Sequence, residues 1–158
     1  MIFLRKYFIG TTDNVDIKSV IHDVNRAIKE AGAKDGLLVV SVPEQGAALV
    51  ICEPIDEIKD AFVDLAMKTV SDLGVAKNRK KEDLDINSRI RSSFLGRSLS
   101  IPIENSRIRI GLREEIFLVD FTDNALRREF EVLVIFEAAS KGEGAMPMGM
   151  PPQGQGMA

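Results

Sequence analysis

The side chains that could perform chemistry in this chain are few. Its 158 residues include one histidine, His22, and one cysteine, Cys52. A multi-histidine metal centre therefore cannot be assembled within one chain, and any histidine-dependent proton relay must use His22 itself. A lone cysteine rules out an intrachain disulfide and a multi-cysteine zinc site. His22 falls about 140° around a helical wheel from Ile17, on the polar side of its segment, and is expected to be solvated. Cys52 ends the apolar run Leu49-Val50-Ile51-Cys52 and reads as a buried, inert thiol. No glycine-rich loop is placed to cradle phosphate, because Gly142 and Gly144 do not stand between a strand and a helix. Met146, Met148, Met150 and Met157 could offer thioethers to Cu(I), but low-complexity segments carry such residues without binding metal.

What remains is acid and guanidinium beside apolar strands. Glu53 directly follows Cys52, and Glu44 sits at the turn before that strand. Arg89 and Arg91 precede Ser92-Ser93-Phe94-Leu95-Gly96, and Arg127-Arg128 precede the last apolar segment. Adjacent sheet ends can gather these groups into a cleft where arginine and carboxylate pair bidentately. The competing assignment is a scatter of surface ion pairs worth little each. Twenty-one basic against 24 acidic residues give a net charge of −3, which supplies no field for a phosphate backbone, so nucleic acid is not an expected partner.

The elements that must position these residues follow from hydrophobic period. Residues 2–9 are aromatic and β-branched and stop at Gly10-Thr11-Thr12, a strand running into a turn. Ile17, Val20, Ile21, Val24, Ile28 and Ala31 recur at three and four residues, predicting a helix with Asp16 as N-cap and Gly32 as its close. Leu37–Val42 and Ala47–Cys52 read as strands separated by Pro43-Glu44-Gln45-Gly46. Ile55, Ile58, Phe62, Leu65, Ala66 and Leu73 mark a second amphipathic helix ending near Gly74. Lys77–Asp83 has no apolar period and reads as a solvated loop. A short turn or helix is expected around Ser88–Leu95, then strands at 98–103, 106–110, 116–120 and 129–136, with Asn105-Ser106 and Thr122-Asp123-Asn124 as turns. In the last strand Phe130, Val132, Val134 and Phe136 alternate with Glu129, Glu131, Leu133 and Ile135, the period of a sheet with one buried face.

The class is therefore α+β, with a largely antiparallel sheet and the helices covering one face. The folded domain is residues 1–140. Residues 141–158 are rich in Gly, Met, Pro and Gln and are expected to form a flexible tail. No apolar run reaches 18 residues, and Arg5 and Lys6 interrupt the first apolar stretch, so a cytoplasmic protein without membrane contact is expected.

The order of segments from about Ile2 to Glu137 resembles the YjbQ-like family, whose members are called secondary thiamine-phosphate synthase enzymes. The landmarks are Asp16-Ile17, Gly36 before the apolar strand, Ala47-Ala48-Leu49 leading to Glu53, and Asp60 in the second helix. Next come Ser92-Ser93-Phe94-Leu95-Gly96-Arg97-Ser98-Leu99, Ile101-Pro102-Ile103, Gly111, Asp120 and Arg127-Arg128. The departures are as informative. A His-Thr-Ser/Thr-Ala turn typical of the family is here Glu44-Gln45-Gly46-Ala47, a second family histidine corresponds to Arg89, and a Gly-Thr-Trp-Gln turn reads Gly111-Leu112-Arg113-Glu114. Both histidines of the family's site are absent, and with them the groups able to ligate a metal or shuttle a proton near neutral pH.

The resemblance implies an α+β fold with a curved, largely antiparallel sheet and two main helices packed on it, a homotrimer and a thiamine-phosphate synthase scaffold. The first expectation is a diverged, non-catalytic member without cofactor, acting as a binding or structural subunit that meets a protein partner through its tail. The alternative is an enzyme in which Glu44, Glu53, Asp60 and Asp120 bind Mg²⁺ and Arg89 or Arg113 holds a phosphate. Glu53 and Asp120 are the residual catalytic candidates, with Glu44, Arg89, Arg113, Arg127 and Arg128 as ligand-binding candidates. Glu44 and Arg89, replacing the two histidines, are expected to form an ion pair within about 4 Å.

Overall fold

The computed structural model describes residues 1–12, 15–70, 76–77, 83–124 and 126–138. In chain order it runs β1 (Ile2–Gly10), β2 (Asp16–Ser19), α1 (Ile21–Ala31), β3 (Gly36–Ser41), β4 (Ala47–Cys52) and α2 (Asp56–Thr69). There follow β5 (Ala76–Lys77), β6 (Asp83–Leu84), α3 (Ile86–Leu95), β7 (Ser98–Glu104), β8 (Arg107–Ile108), β9 (Glu115–Asp120) and β10 (Arg127–Phe136). All pairings are antiparallel, in a five-stranded sheet of order β1-β10-β3-β7-β8, a three-stranded sheet β2-β9-β4 and the small pair β5-β6.

Two hydrophobic patterns build the two larger sheets. In β10 the even residues Phe130, Val132 and Val134 are buried, and they meet Leu38 and Val40 of β3, Ile101 and Ile103 of β7, and Val24, Ala27 and Ile28 of α1. Strands β4 and β9 are apolar without alternation, and the structure shows why. Leu49, Ile116 and Leu118 face that same core, while Ala48, Val50, Phe117 and Val119 face Ile58, Phe62 and Ala66 of α2. A strand covered on both faces has no polar side to display.

Three departures from the sequence reading have local causes. Ile17 belongs to β2, paired with Val119 of β9, and α1 starts only at Ile21. Asp16 is therefore not an N-cap; its carboxylate accepts from the Thr12 amide at 3.1 Å. The spacing from Ile17 into Val20 and Val24 mimics a helical stripe across a strand-to-helix junction. Gly32 does close α1, in the left-handed region at φ 68°, with its N–H donating to the Lys29 carbonyl.

The second departure is one of extent: the short turn or helix expected around Ser88–Leu95 is a third helix that begins at Ile86. The buried residues of α3 are Ser88, Arg91 and Ser92, so it has no apolar stripe to betray it. It is held instead by polar bonds: Asp85 caps it by accepting from the Ser88 amide at 3.1 Å, and Arg91 donates from Nε and Nη2 to the Val70 carbonyl, at 3.0 and 2.8 Å, at the end of α2. The third departure is the segment expected as a solvated loop from Lys77 to Asp83. Its ends pair as β5 and β6; residues between them, like residues 141–158 expected as a tail, lie outside the described residues. Asn105 and Ser106, both at positive φ, form the tight β7–β8 turn that the sequence predicts. Among the described residues no helix is long and apolar enough to cross a membrane.

Tyr7 contributes an imperfection to the core. Its ring stacks on Phe130 at 5.4 Å, and its buried hydroxyl has no hydrogen-bond partner among the described residues. A buried, unbonded hydroxyl is destabilising relative to no hydroxyl. Tyr7→Phe is therefore expected to raise stability by about 1 kcal/mol in urea denaturation; a loss of similar size would show that the hydroxyl is bonded.

Candidate functional site

The cleft that gathers the charged candidates lies where β4, β9 and β10 end beside α3. The alternation that points Phe130, Val132 and Val134 inward also points Arg128 inward, and it is buried at 2% exposure. Asp120, the last residue of β9, is buried at 1%. The two pair bidentately, Nε to Oδ2 at 2.8 Å and Nη2 to Oδ1 at 2.9 Å. Asp120 also accepts from the Thr11 hydroxyl at 2.8 Å, the Thr122 amide at 3.0 Å and the Thr122 hydroxyl at 2.7 Å. Burial pushes the Asp120 carboxyl up, but Arg128 and the bonds from Thr122 and Thr11 outweigh it and hold the group below the usual carboxylate range.

Arg128 has a second set of partners. Nη1 donates to the Gln45 carbonyl at 3.1 Å and lies 3.5 Å from the carboxylate of the exposed Glu44. The turn carrying these groups depends on Gly46. Its φ is +93°, and a side chain there would place Cβ 2.9 Å from Thr122 Cγ2 and 3.0 Å from Arg128 Nη2, so only glycine fits without displacement. The Gly46 amide donates to Ser92 Oγ at 3.0 Å, and Ser92 Oγ donates to the Arg89 carbonyl at 2.9 Å. The polar inner face of α3 is thus what docks the helix against the turn.

Above this network opens a cleft of about 470 Å³, lined among others by Glu44, Gln45, Arg89, Arg97, Thr122 and Arg128. Arg97 donates from Nη1 to the Pro43 carbonyl at 3.1 Å, which fixes its stem while leaving most of its fork available. Three guanidiniums and one carboxylate line the space, with Asp120 behind them and engaged.

The expected ion pair between Glu44 and Arg89 does not form. The two residues do share the cleft, but Glu44 turns to Arg128, which the strand register brings to the same end as Asp120. Arg127, next in sequence to Arg128, faces the opposite side of the sheet, its guanidinium 4.1 Å above the Phe8 ring.

Glu53 and Arg113 are elsewhere. The β4–β9 ladder runs from Ala47 opposite Asp120 to Cys52 opposite Glu115, which puts Glu53 roughly 20 Å from Asp120 at the rise of a strand. Glu53 and Arg113 line a separate recess with His22 and Glu114. Asp60 is exposed on α2. Glu53, Asp60 and Asp120 therefore do not converge, and among the described residues no three His, Cys, Asp or Glu side chains are placed to hold a metal ion. The carboxylate set does not fit Mg²⁺. His22 is exposed and Cys52 is buried and free; burial pushes its thiol up, away from the thiolate that a nucleophile requires. Arg97, Thr11 and Thr122 are site residues that the sequence reading missed. Arg97 lies within a segment that the resemblance covers and Thr122 is two residues after Asp120 in an expected turn, but Thr11, bonded to an aspartate 109 residues away, has no sequence signal.

Asp120→Asn keeps the shape and removes the charge, leaving Arg128 buried with only a rim carboxylate. We expect a loss of about 3–5 kcal/mol at neutral pH, the size seen when one partner of a buried pair is removed. Because the folded pKa is depressed, the wild-type contribution is complete above the usual 3.8 and is lost as pH falls through the folded value. The stability gap between wild type and variant, measured by denaturation across pH, should therefore narrow in acid; a gap that is constant or widens would refute this.

Comparison with known proteins agrees with this architecture. The family described as UPF0047 protein YjbQ-like matches residues 5–137. A UPF0047 protein of Methanocaldococcus jannaschii is 33% identical over 135 residues, covering 84% of this chain and 94% of that protein. One from Synechocystis is 31% identical over 134 residues, covering 82% and 90%. Among solved structures, a YbjQ-like protein of unknown function from Sulfolobus solfataricus superposes with a TM-score of 0.79 at 18% identity, over 87% of this chain and 99% of that one. A YjbQ/UPF0047 protein from Clostridium acetobutylicum gives 0.73 at 23% identity, over 83% and 99%. The chain belongs to the YjbQ-like UPF0047 family.

Proposed function

We propose that this chain is a non-catalytic binding subunit, assembled as a homotrimer, whose cleft takes a small anion such as a phosphate ester against Arg89 and Arg97. The observation that carries the reading is the engagement of Asp120. A general acid or base at neutral pH needs a pKa near 7, and Asp120 is driven the other way by its bonds to Arg128, Thr122 and Thr11. Guanidiniums do not exchange protons in this range. The hydroxyls are occupied as well, Thr122 donating to Asp120 and Ser92 to the Arg89 carbonyl. What the cleft offers besides the rim carboxylate of Glu44 is fixed positive charge, suited to bidentate recognition of phosphate or carboxylate.

A protein partner reached through residues 141–158 is a separate part of the proposal. Truncation after residue 140 should leave anion binding intact and abolish partner capture; retained capture would remove the tail's role.

The same basic lining would accommodate the phosphates of thiamine-phosphate precursors, so the enzymatic reading is tested alongside. Calorimetry should detect pyrophosphate binding that Arg89→Ala weakens by roughly 10-fold or more, as expected for a lost charged hydrogen bond. Thiamine phosphate formation from hydroxymethylpyrimidine pyrophosphate and thiazole phosphate should stay at the level of buffer. Turnover abolished by Arg89→Ala would overturn the non-catalytic reading, and no binding of pyrophosphate or phosphate would overturn the anion site.

A further inference from the structure

Between α1 and the edge strand β8, with the loop that follows it, runs a trough of about 680 Å³. Its floor is apolar: Ile28 and Ala33 are buried in the core, and Ile108 and Ile110 are packed against that core. Leu112 stands at the end nearest the start of α1 and is fully exposed. At the other end, beside Gly32, the trough is lined by Lys29 and Arg107, neither of which has an ion-pair partner among the described residues.

The described chain ends beside this trough. The register runs Phe136–Gly36–Ile103–Ile108 across β10, β3, β7 and β8, three strand spacings or ~14 Å. Ala138 and Gly32 line one recess, and Gly32 lines the trough as well, so the surface is continuous from Ala138 to the trough's basic end. The five residues from there to Glu143 reach up to ~17 Å, enough to bring that carboxylate level with Lys29 and Arg107. Next in sequence comes Met146-Pro147-Met148-Gly149-Met150-Pro151. Met146 and Met150 each precede a proline, which favours an extended backbone, and on an extended chain residues two apart share a side. Three thioethers would then lie on one side over ~13 Å. The trough follows α1 from Gly32 back to Ile21, ~16 Å at the helical rise.

We infer that Met146, Met148 and Met150 seat in this trough of their own chain, on Ile28, Ile108 and Ile110, with Glu143 at its basic end. Methionine is unbranched and polarizable and fills irregular apolar gaps of this kind. The short tether holds the segment at an effective concentration of ~mM, so weak contacts suffice. The inference does not rest on the partner reading above: residues 151–158 continue past Leu112 and stay outside the trough.

The test is sulfoxide formation in the full chain under dilute hydrogen peroxide, followed at each methionine by mass spectrometry, with Met157 as the reference outside the trough. Oxidation at Met146, Met148 and Met150 is expected to be at least about fivefold slower than at Met157, as for a segment docked most of the time. Asn25→Trp, at an exposed helix position on the trough wall, should fill the space and raise the three rates to that of Met157 in a protein whose circular dichroism is unchanged. Equal rates in wild type overturn the inference, and protection that survives in the folded variant overturns the trough as its place. Should the variant not fold, a nitroxide on Ala145→Cys decides. It should broaden the amide signals of Ile28, Ala33 and Ile110 within its own chain and leave Thr122 unaffected. Broadening that arises only between chains, in a mixture of spin-labelled and isotope-enriched protein, assigns the segment to a neighbouring copy and overturns the inference.

Discussion

A buried aspartate and a buried arginine cannot be left apart, and much of this molecule is arranged around that constraint. Removing either charge from water costs several kcal/mol, which is recovered only with close geometry and full hydrogen bonding. Asp120 and Arg128 meet both conditions, with two mutual bonds and further partners from Thr11, Thr122 and Gln45. Those partners come from the end of β1, the end of β9 and the β3–β4 turn. The pair therefore ties the five-stranded sheet to the three-stranded one at a point where the apolar core runs out.

The same pair decides what the cleft above it can do. A carboxylate held ionised and saturated is a structural anchor, and a guanidinium saturated by it is no longer a free cation. The remaining charges, Arg89 and Arg97 with Glu44 at the rim, can attract and orient an anion. Gly46 and Ser92 carry this arrangement into the backbone, since the turn can approach Arg128 only without a side chain and α3 is bonded to the turn through the Ser92 hydroxyl.

Legibility from sequence followed how much of each element's role is apolar. The alternation of β10 and the unbroken apolar runs of β4 and β9 made those strands readable, because burial on one face or on two leaves different patterns. Helix α3 was blurred because its inner face is Ser88, Arg91 and Ser92, and β2 was absorbed into α1 because four half-buried residues carry too little period. At the site, Glu44, Arg89, Asp120 and Arg128 stood out as charges beside strand ends. Their pairing depends on register, which a sequence does not print, so Glu44 was assigned to Arg89 instead of Arg128. The choice between Arg127 and Arg128 was within reach, since continuing the alternation backwards from Phe130 sends Arg128 inward. Glu53 and Asp120 bracket the β4–β9 ladder at opposite ends, and only the antiparallel pairing makes that evident.

The outward half of the sheet shows the same logic in reverse. Leu133 and Ile135 satisfy no demand of the single chain's core, and their neighbours across the strands are apolar too, so the period explains where they point but not why they are hydrophobic. The most direct test of the central claim is a carbon-detected NMR titration of the Asp120 side chain in the folded protein. The account predicts a carboxylate that stays ionised below the ordinary value of ~3.9 until the fold itself is lost. A midpoint between ~6 and ~7 in the folded state would make Asp120 a proton-exchanging group and contradict it.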